Sequence, residues 1–135
     1  MSARLLLDTN VVIGILNRDE RLAAPLSRVA PSTLRIGAIT LAELRYGIAK
    51  SQQPLVATAN LRAFLDRVAV VPFDEAACTE YGQLRAALEK RGTIIGPLDL
   101  LIAAQALSQR WTLVTSNTRE FRRVPGLKVV DWRTS

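Results

Sequence analysis

The chain has 135 residues, 49% of them apolar and 22% charged, which is the profile of one folded globular domain spanning residues 1–135 and excludes a disordered tail. It contains no histidine and one cysteine, Cys78, so Ser-His and Cys-His nucleophiles, histidine zinc sites and an internal disulfide are all excluded. A net charge of +6 arises from 18 basic and 12 acidic residues, and 15 of the 18 are arginine, whose planar fork suits an anionic partner.

In chain order, Arg4 to Asp8 reads as a short buried strand running straight into a helix over Thr9 to Asn17. Arg35 to Ile39 is a second apolar run, followed by a helix from Leu41 to about Lys50 with Leu41, Leu44 and Ile48 on one stripe. Gln53-Pro54 breaks the chain, and Leu55 to Arg67 is helical by its apolar spacing before a strand over Val68 to Phe73. Asp74 is the expected N-cap of the next helix, in which Ala77, Tyr81, Leu84 and Leu88 share a face and Arg91-Gly92 forms the end. Cys78 lies inside that periodic stretch and reads as a buried structural thiol.

Gly96-Pro97 starts a further helix, since proline at the first helical position loses nothing by lacking an N–H. From Leu98 to Leu107 that helix is apolar on nearly every side, which predicts burial against a sheet. Trp111 to Thr115 is a strand, Ser116 to Phe121 a polar loop or short helix, and Leu127 to Val130 a last short strand. Strands alternating with helices predict a three-layer α/β/α fold with a mainly parallel central sheet. The apolar runs are too short to span a bilayer, and Arg4 to Asp8 is too brief for a secretory signal, so a cytoplasmic address is expected.

Three acids sit where helices are expected to begin: Asp8 after Leu5-Leu6-Leu7, Glu43 within Thr40-Leu41-Ala42-Glu43, and Asp99 after Gly96-Pro97. Taken singly, each is accounted for by the partial positive charge and free N–H groups of a helix start, and Thr40-x-x-Glu43 has the form of a capping box. Taken jointly, they point elsewhere. In a parallel sheet the loops that leave the carboxyl ends of the strands gather at one edge, where ligands bind. Asp8, Glu43 and the polar run Thr115-Ser116-Asn117 belong at that edge, and Asp99 is inferred to join them.

Bare carboxylates at short range oppose each other's ionisation, and a divalent cation removes the conflict. With oxygen ligands alone the fitting ions are Mg²⁺ or Mn²⁺, which retain water and support phosphodiester hydrolysis. Gly47, one turn beyond Glu43, costs the helix roughly 1 kcal/mol relative to alanine, and is explained either by close approach of a substrate beside Glu43 or by tight helix packing. Arg119, Arg122 and Arg123 follow the polar loop, where they suit phosphate contacts or a solvated turn equally.

At these residues the chain resembles the PIN-domain family, and within it the VapC-type toxins of bacterial and archaeal toxin–antitoxin pairs. The matching segments are Leu6 to Ile13, Ile39 to Gly47, Pro97 to Ala106 and Leu113 to Phe121, with Val124-Pro125-Gly126-Leu127 and Asp131-Trp132 at the end. The resemblance implies a Mg²⁺- or Mn²⁺-dependent endoribonuclease, usually homodimeric, held inactive by a cognate VapB-type antitoxin. It implies that Asp8, Glu43 and Asp99 hold the metal, with Thr9 and Thr115 adding hydroxyls nearby. Where many PIN domains carry a fourth acid, Asn117 stands here, with Glu120 as its substitute. Two other readings stand beside this one: a phosphatase with Asp8 as nucleophile, against which Asn10 replaces the second aspartate such enzymes have, and a non-catalytic basic module that binds RNA or protein.

Overall fold

The computed structural model describes residues 4–134. Five short strands, β1 (Leu5–Leu7), β2 (Leu34–Gly37), β3 (Ala69–Val71), β4 (Thr112–Val114) and β5 (Val129–Val130), form one sheet in the order β3-β2-β1-β4-β5. All four pairings are parallel, with Leu5 beside Leu34 and Thr112, and Leu113 beside Val129. The helices are α1 (Thr9–Leu16), α2 (Glu20–Ser27), α3 (Ala38–Ala49), α4 (Pro54–Leu65), α5 (Glu75–Arg91), α6 (Pro97–Gln109) and the single turn α7 (Thr118–Phe121).

Side chains alternate across a strand, so β1 divides its leucines between the two faces. Leu5 and Leu7 pack with Val11, Val12, Leu22, Leu44 and Leu61 of α1 to α4. Leu6 and Leu113 pack with Leu84, Leu88, Leu100 and Ile102 of α5 and α6, and with Phe121. The expected three layers follow from that split. Leu88 is fully buried, and its truncation to alanine would cost about 2–5 kcal/mol.

Several local signals act as expected. Asp74 accepts a 3.0 Å hydrogen bond from the Ala77 N–H at the start of α5, and Gly92 ends that helix with φ of 68°, the left-handed conformation glycine adopts freely. Pro97 occupies the first turn of α6, whose Leu100, Ile102, Ala103, Ala104 and Ala106 are buried.

Others differ. The segment between Asn17 and Arg35 holds α2, where Asp19 caps by accepting from the Arg21 N–H and Pro25 sits inside the helix. Leu22, Pro25 and Leu26 keep an apolar stripe, but it spans only two turns and includes a proline, which hid the helix. Helix α3 starts at Ala38, directly after β2, with Gly37 rather than Thr40 at the cap, so the capping-box reading of Glu43 is wrong. Cys78 is exposed, contrary to the buried thiol expected. It follows the fully buried Ala77 by one residue, and about 100° of helical rotation carries it out of the core face.

Candidate active site

The carboxyl edge of the sheet is built by extending the strand ladder one residue past its ends. The Asp8 N–H donates to Val114 O at 2.9 Å, and the Thr115 N–H donates to Val130 O at 3.0 Å. Asp8 and Thr115 are thereby held side by side at the mouths of β1 and β4, both buried. The Thr115 hydroxyl donates to Asp8 Oδ2 at 2.7 Å, and the Thr9 N–H donates to Asp8 Oδ1 at 2.8 Å, so the helix-start role of Asp8 is real and leaves its second oxygen for the neighbouring strand.

Because α3 leaves β2 without a loop, Glu43 comes to lie one and a half turns along it, facing α1. Its Oε1 accepts from the Thr9 hydroxyl at 2.8 Å. On the other side, the Asn117 N–H donates to Thr115 Oγ1 at 3.0 Å, and the Asn117 side-chain amide donates to Glu120 Oε2 at 2.7 Å. Glu120 Oε1 accepts from the Gly96 N–H at 2.7 Å, and the carboxyl groups of Glu120 and Asp99 lie within hydrogen-bonding reach, a contact that raises the pKa of Asp99 and lowers that of Glu120. One chain of contacts therefore runs from Glu43 through Thr9, Asp8, Thr115 and Asn117 to Glu120 and Asp99.

The titration behaviour reports how crowded this edge is. Burial pushes the Asp8 carboxyl up; the Thr115 and Thr9 bonds pull it partly back, and the charges of Glu43 and Glu120 push it further up. Asp99 is raised to about 7, first by burial and then by the negative charges of Glu120, Asp8 and Glu43. Glu120 moves the opposite way, below its ordinary range, chiefly because the Gly96 N–H stabilises its anion.

The structure places Asp8, Glu43, Asp99 and Asn117, the four residues singled out in the sequence, along the same carboxyl edge, with Glu120 bonded to Asn117 beside them. Asn117 and Glu120 are three residues apart at the start of α7, and one helical turn makes them neighbours. A carboxylate thus stands one turn from the position that Asn117 occupies. Gly47 has no atom within 4 Å of where a Cβ would be, so tight helix packing does not explain it. It lines an apolar cleft of about 260 Å³ with Ile13, Leu16, Leu44, Ile48 and Leu61, opening beside Glu43.

Oxygen donors alone, negative charges that raise one another's pKa, and a lack of ion pairs to any of the four acids among the described residues fit a small hard divalent cation. As placed, no three acids among the described residues converge closely enough to clasp one ion, and Asp8, Glu43 and Glu120 each accept from a hydroxyl, amide or N–H donor.

The PIN domain model matches residues 5–127. The chain belongs to the PIN-domain family. Among similar proteins, the tRNA(fMet)-specific endonuclease VapC of Shigella flexneri is 39% identical over 129 residues, covering 96% of this chain and 98% of that protein. Ribonuclease VapC2 of Rickettsia felis is also 39% identical, over 94% of this chain and 96% of its own length. The structure of VapBC2 from Rickettsia felis, bound to a DNA fragment from its promoter, matches with a TM-score of 0.90 at 38% identity, covering 95% of this chain and 98% of that one. DNA-bound VapBC from Salmonella typhimurium also matches at 0.90, with 38% identity over 97% of this chain and 99% of that one. The PIN-like three-layer fold expected from the sequence is the fold of these proteins.

Proposed function

We propose that this PIN-domain protein is a Mg²⁺- or Mn²⁺-dependent endoribonuclease, the toxin of a toxin–antitoxin pair, working in the cytoplasm. The observation that carries the reading is the hydrogen-bonded run of four carboxylates at the carboxyl edge of a PIN sheet. Asp8, Glu43, Asp99 and Glu120 would hold the cation. When bound, such an ion supplies Lewis-acid chemistry, neutralising charge on the phosphodiester and making water a better nucleophile near neutral pH.

The protein's own groups do the rest. The Thr9 N–H and the Thr115 hydroxyl each donate to one oxygen of Asp8, which fixes the orientation of its carboxylate. Asn117 orients Glu120 without neutralising it. Arg119, Arg122 and Arg123, all exposed on and after α7, contact phosphates of the RNA on either side of the scissile bond. With no imidazole in the chain, proton transfers fall to these carboxyls and to water.

The relatives named as tRNA endonucleases make a tRNA the first substrate to try. The partner is a VapB-type antitoxin, and the apolar cleft beside Glu43, lined in part by the exposed Ile13, suits a helix of that partner. The active assembly is a homodimer, or a hetero-oligomer with the antitoxin.

The test is cleavage of tRNA by purified protein with Mg²⁺, with Mn²⁺ and with EDTA. Cutting is expected with either ion and absent with EDTA, and Asp8→Asn is expected to abolish it while the thermal melt stays cooperative. Cleavage that persists in EDTA, or survives Asp8→Asn, refutes the proposal.

A further inference from the structure

Parallel strands have a second common edge, opposite the carboxylates, where their amino ends gather. Across the sheet in spatial order this edge carries Arg67 before β3, Arg35 in β2, Arg4 before β1, Arg110 before β4 and Lys128 before β5. Asp66 offsets Arg67, but no acid lies in the segments next to the other four. Among the described residues none of these four takes part in an ion pair.

The four belong to one surface. The Thr112 N–H donates to Arg4 O at 3.0 Å, and the Leu113 N–H donates to Lys128 O at 2.8 Å, which fixes both residues to β4. The Arg35 guanidinium lies over the Trp111 ring at 5.4 Å from its centroid. Arg110, Trp111 and Lys128 line one cavity of about 260 Å³. Arg35 is held below its ordinary pKa by burial and by the nearby charge of Arg4.

The carboxylate edge repels a polyanion, so cations beyond Arg119, Arg122 and Arg123 add to affinity for nucleic acid. Strands of two to four residues keep the two edges only about 10 Å apart, so an RNA cut at one edge has further phosphates within reach of the other. We propose that Arg4, Arg35, Arg110 and Lys128, around Trp111, form a second contact surface for the RNA substrate, gripping phosphates of its folded body away from the bond that is cut. The inference rests on the ribonuclease reading and extends it to how a structured substrate is held. Contacts of this kind are independent of base sequence and are read through salt.

The experiment is filter binding of a tRNA in EDTA across a KCl series, for the wild-type protein, for the triple variant Arg4→Gln, Arg110→Gln, Lys128→Gln, and for a control triple Arg45→Gln, Arg62→Gln, Arg91→Gln. The rim variant should lower the slope of log affinity against log salt by about 2, at 0.7–0.9 per phosphate contact, and weaken binding about tenfold or more. The control, with the same loss of charge, should keep nearly the wild-type slope. If the rim triple fails to fold by circular dichroism, Lys128→Gln alone is read, with a slope change of nearly 1. An unchanged slope in the rim variant, or an equal loss in the control, overturns the inference while wild-type cleavage leaves the ribonuclease reading intact. Wild-type protein that neither binds nor cuts tRNA overturns both.

Discussion

Replacing Asp99 by asparagine should stabilise the metal-free protein. Asp99 is raised from its ordinary 3.8 to about 7 by burial and by three neighbouring carboxylates. A carboxyl whose folded pKa lies above its unfolded one costs nothing below about 4, where both states hold the proton; the cost grows as pH rises towards 7 and is constant above it. That displacement corresponds to about 4 kcal/mol at full ionisation, and solvent screening at this part-exposed side chain reduces it to about 2 kcal/mol. Asparagine removes the charge and can still donate to Glu120, as protonated Asp99 does. In EDTA at pH 8.5, Asp99→Asn should therefore melt about 6 °C higher than the wild type, at roughly 3 °C per kcal/mol for a chain of this size. At pH 5 the gain should fall to about a third of that. Millimolar Mg²⁺ should reverse the order, raising the melting point of the wild type and leaving that of the variant unmoved. A variant less stable than the wild type at pH 8.5, or a gain equal at both pH values, would refute the electrostatic account.

Glu120→Gln should raise the Mg²⁺ concentration needed for half-maximal RNA cleavage by about 10–100-fold, and Asn117→Ala, which only loosens Glu120, by about tenfold or less, both read from a metal titration of the rate. Gly37→Ala should destabilise the fold by about 1–3 kcal/mol, because a Cβ there runs into the buried Gln105 Oε1 and dislodges an amide that donates to Pro72 O at 2.9 Å. The same substitution in a Gln105→Ala background should cost much less by chemical denaturation. Asp19→Asn should lower the melting point at neutral pH and make little difference in strong acid: Arg21 and Arg133 hold the Asp19 carboxyl well below its usual range, so its contribution is present above pH 4 and lost as pH falls below that.

What the sequence disclosed followed from features that act locally. The leucine triplet before Asp8, the Gly-Pro start of α6 and the Asp74 cap each specify an element without reference to the rest of the chain. The shared edge of Asp8 and Glu43 was legible once the strands were expected to be parallel, since Asp8 directly follows β1 and Glu43 lies on the helix that directly follows β2. Asp99 was different: α6 has no strand before it, and its place at the edge comes from packing against α5 and from Glu120 binding the Gly96 N–H. Glu120 was undervalued because the comparison was made at the Asn117 position, and the turn that sets the two side by side exists only in three dimensions. Helix α2 was missed outright. It is tied down by Arg133, which bonds Asp19 at 3.0 Å across most of the chain's length, a contact no window of sequence can contain.

The choice of donors around the four acids carries an argument of its own. Every hydrogen bond given to Asp8, Glu43 and Glu120 comes from a neutral group: Thr115, Thr9, Asn117 or a backbone N–H. Neutral donors fix the direction of a carboxylate and stabilise its anion without cancelling the field it projects, whereas a guanidinium or ammonium would do both. Arginine is abundant in this chain, yet among the described residues two of the three ion pairs are made to Asp19, beyond the C-terminal end of α1, and none to the four acids. On the proposed reading, that separation keeps the negative potential at the carboxyl edge available to a cation. The instability expected of Asp99 above pH 7 and the affinity expected for Mg²⁺ are then two measurements of one electrostatic quantity, and they should change together in any variant that moves either.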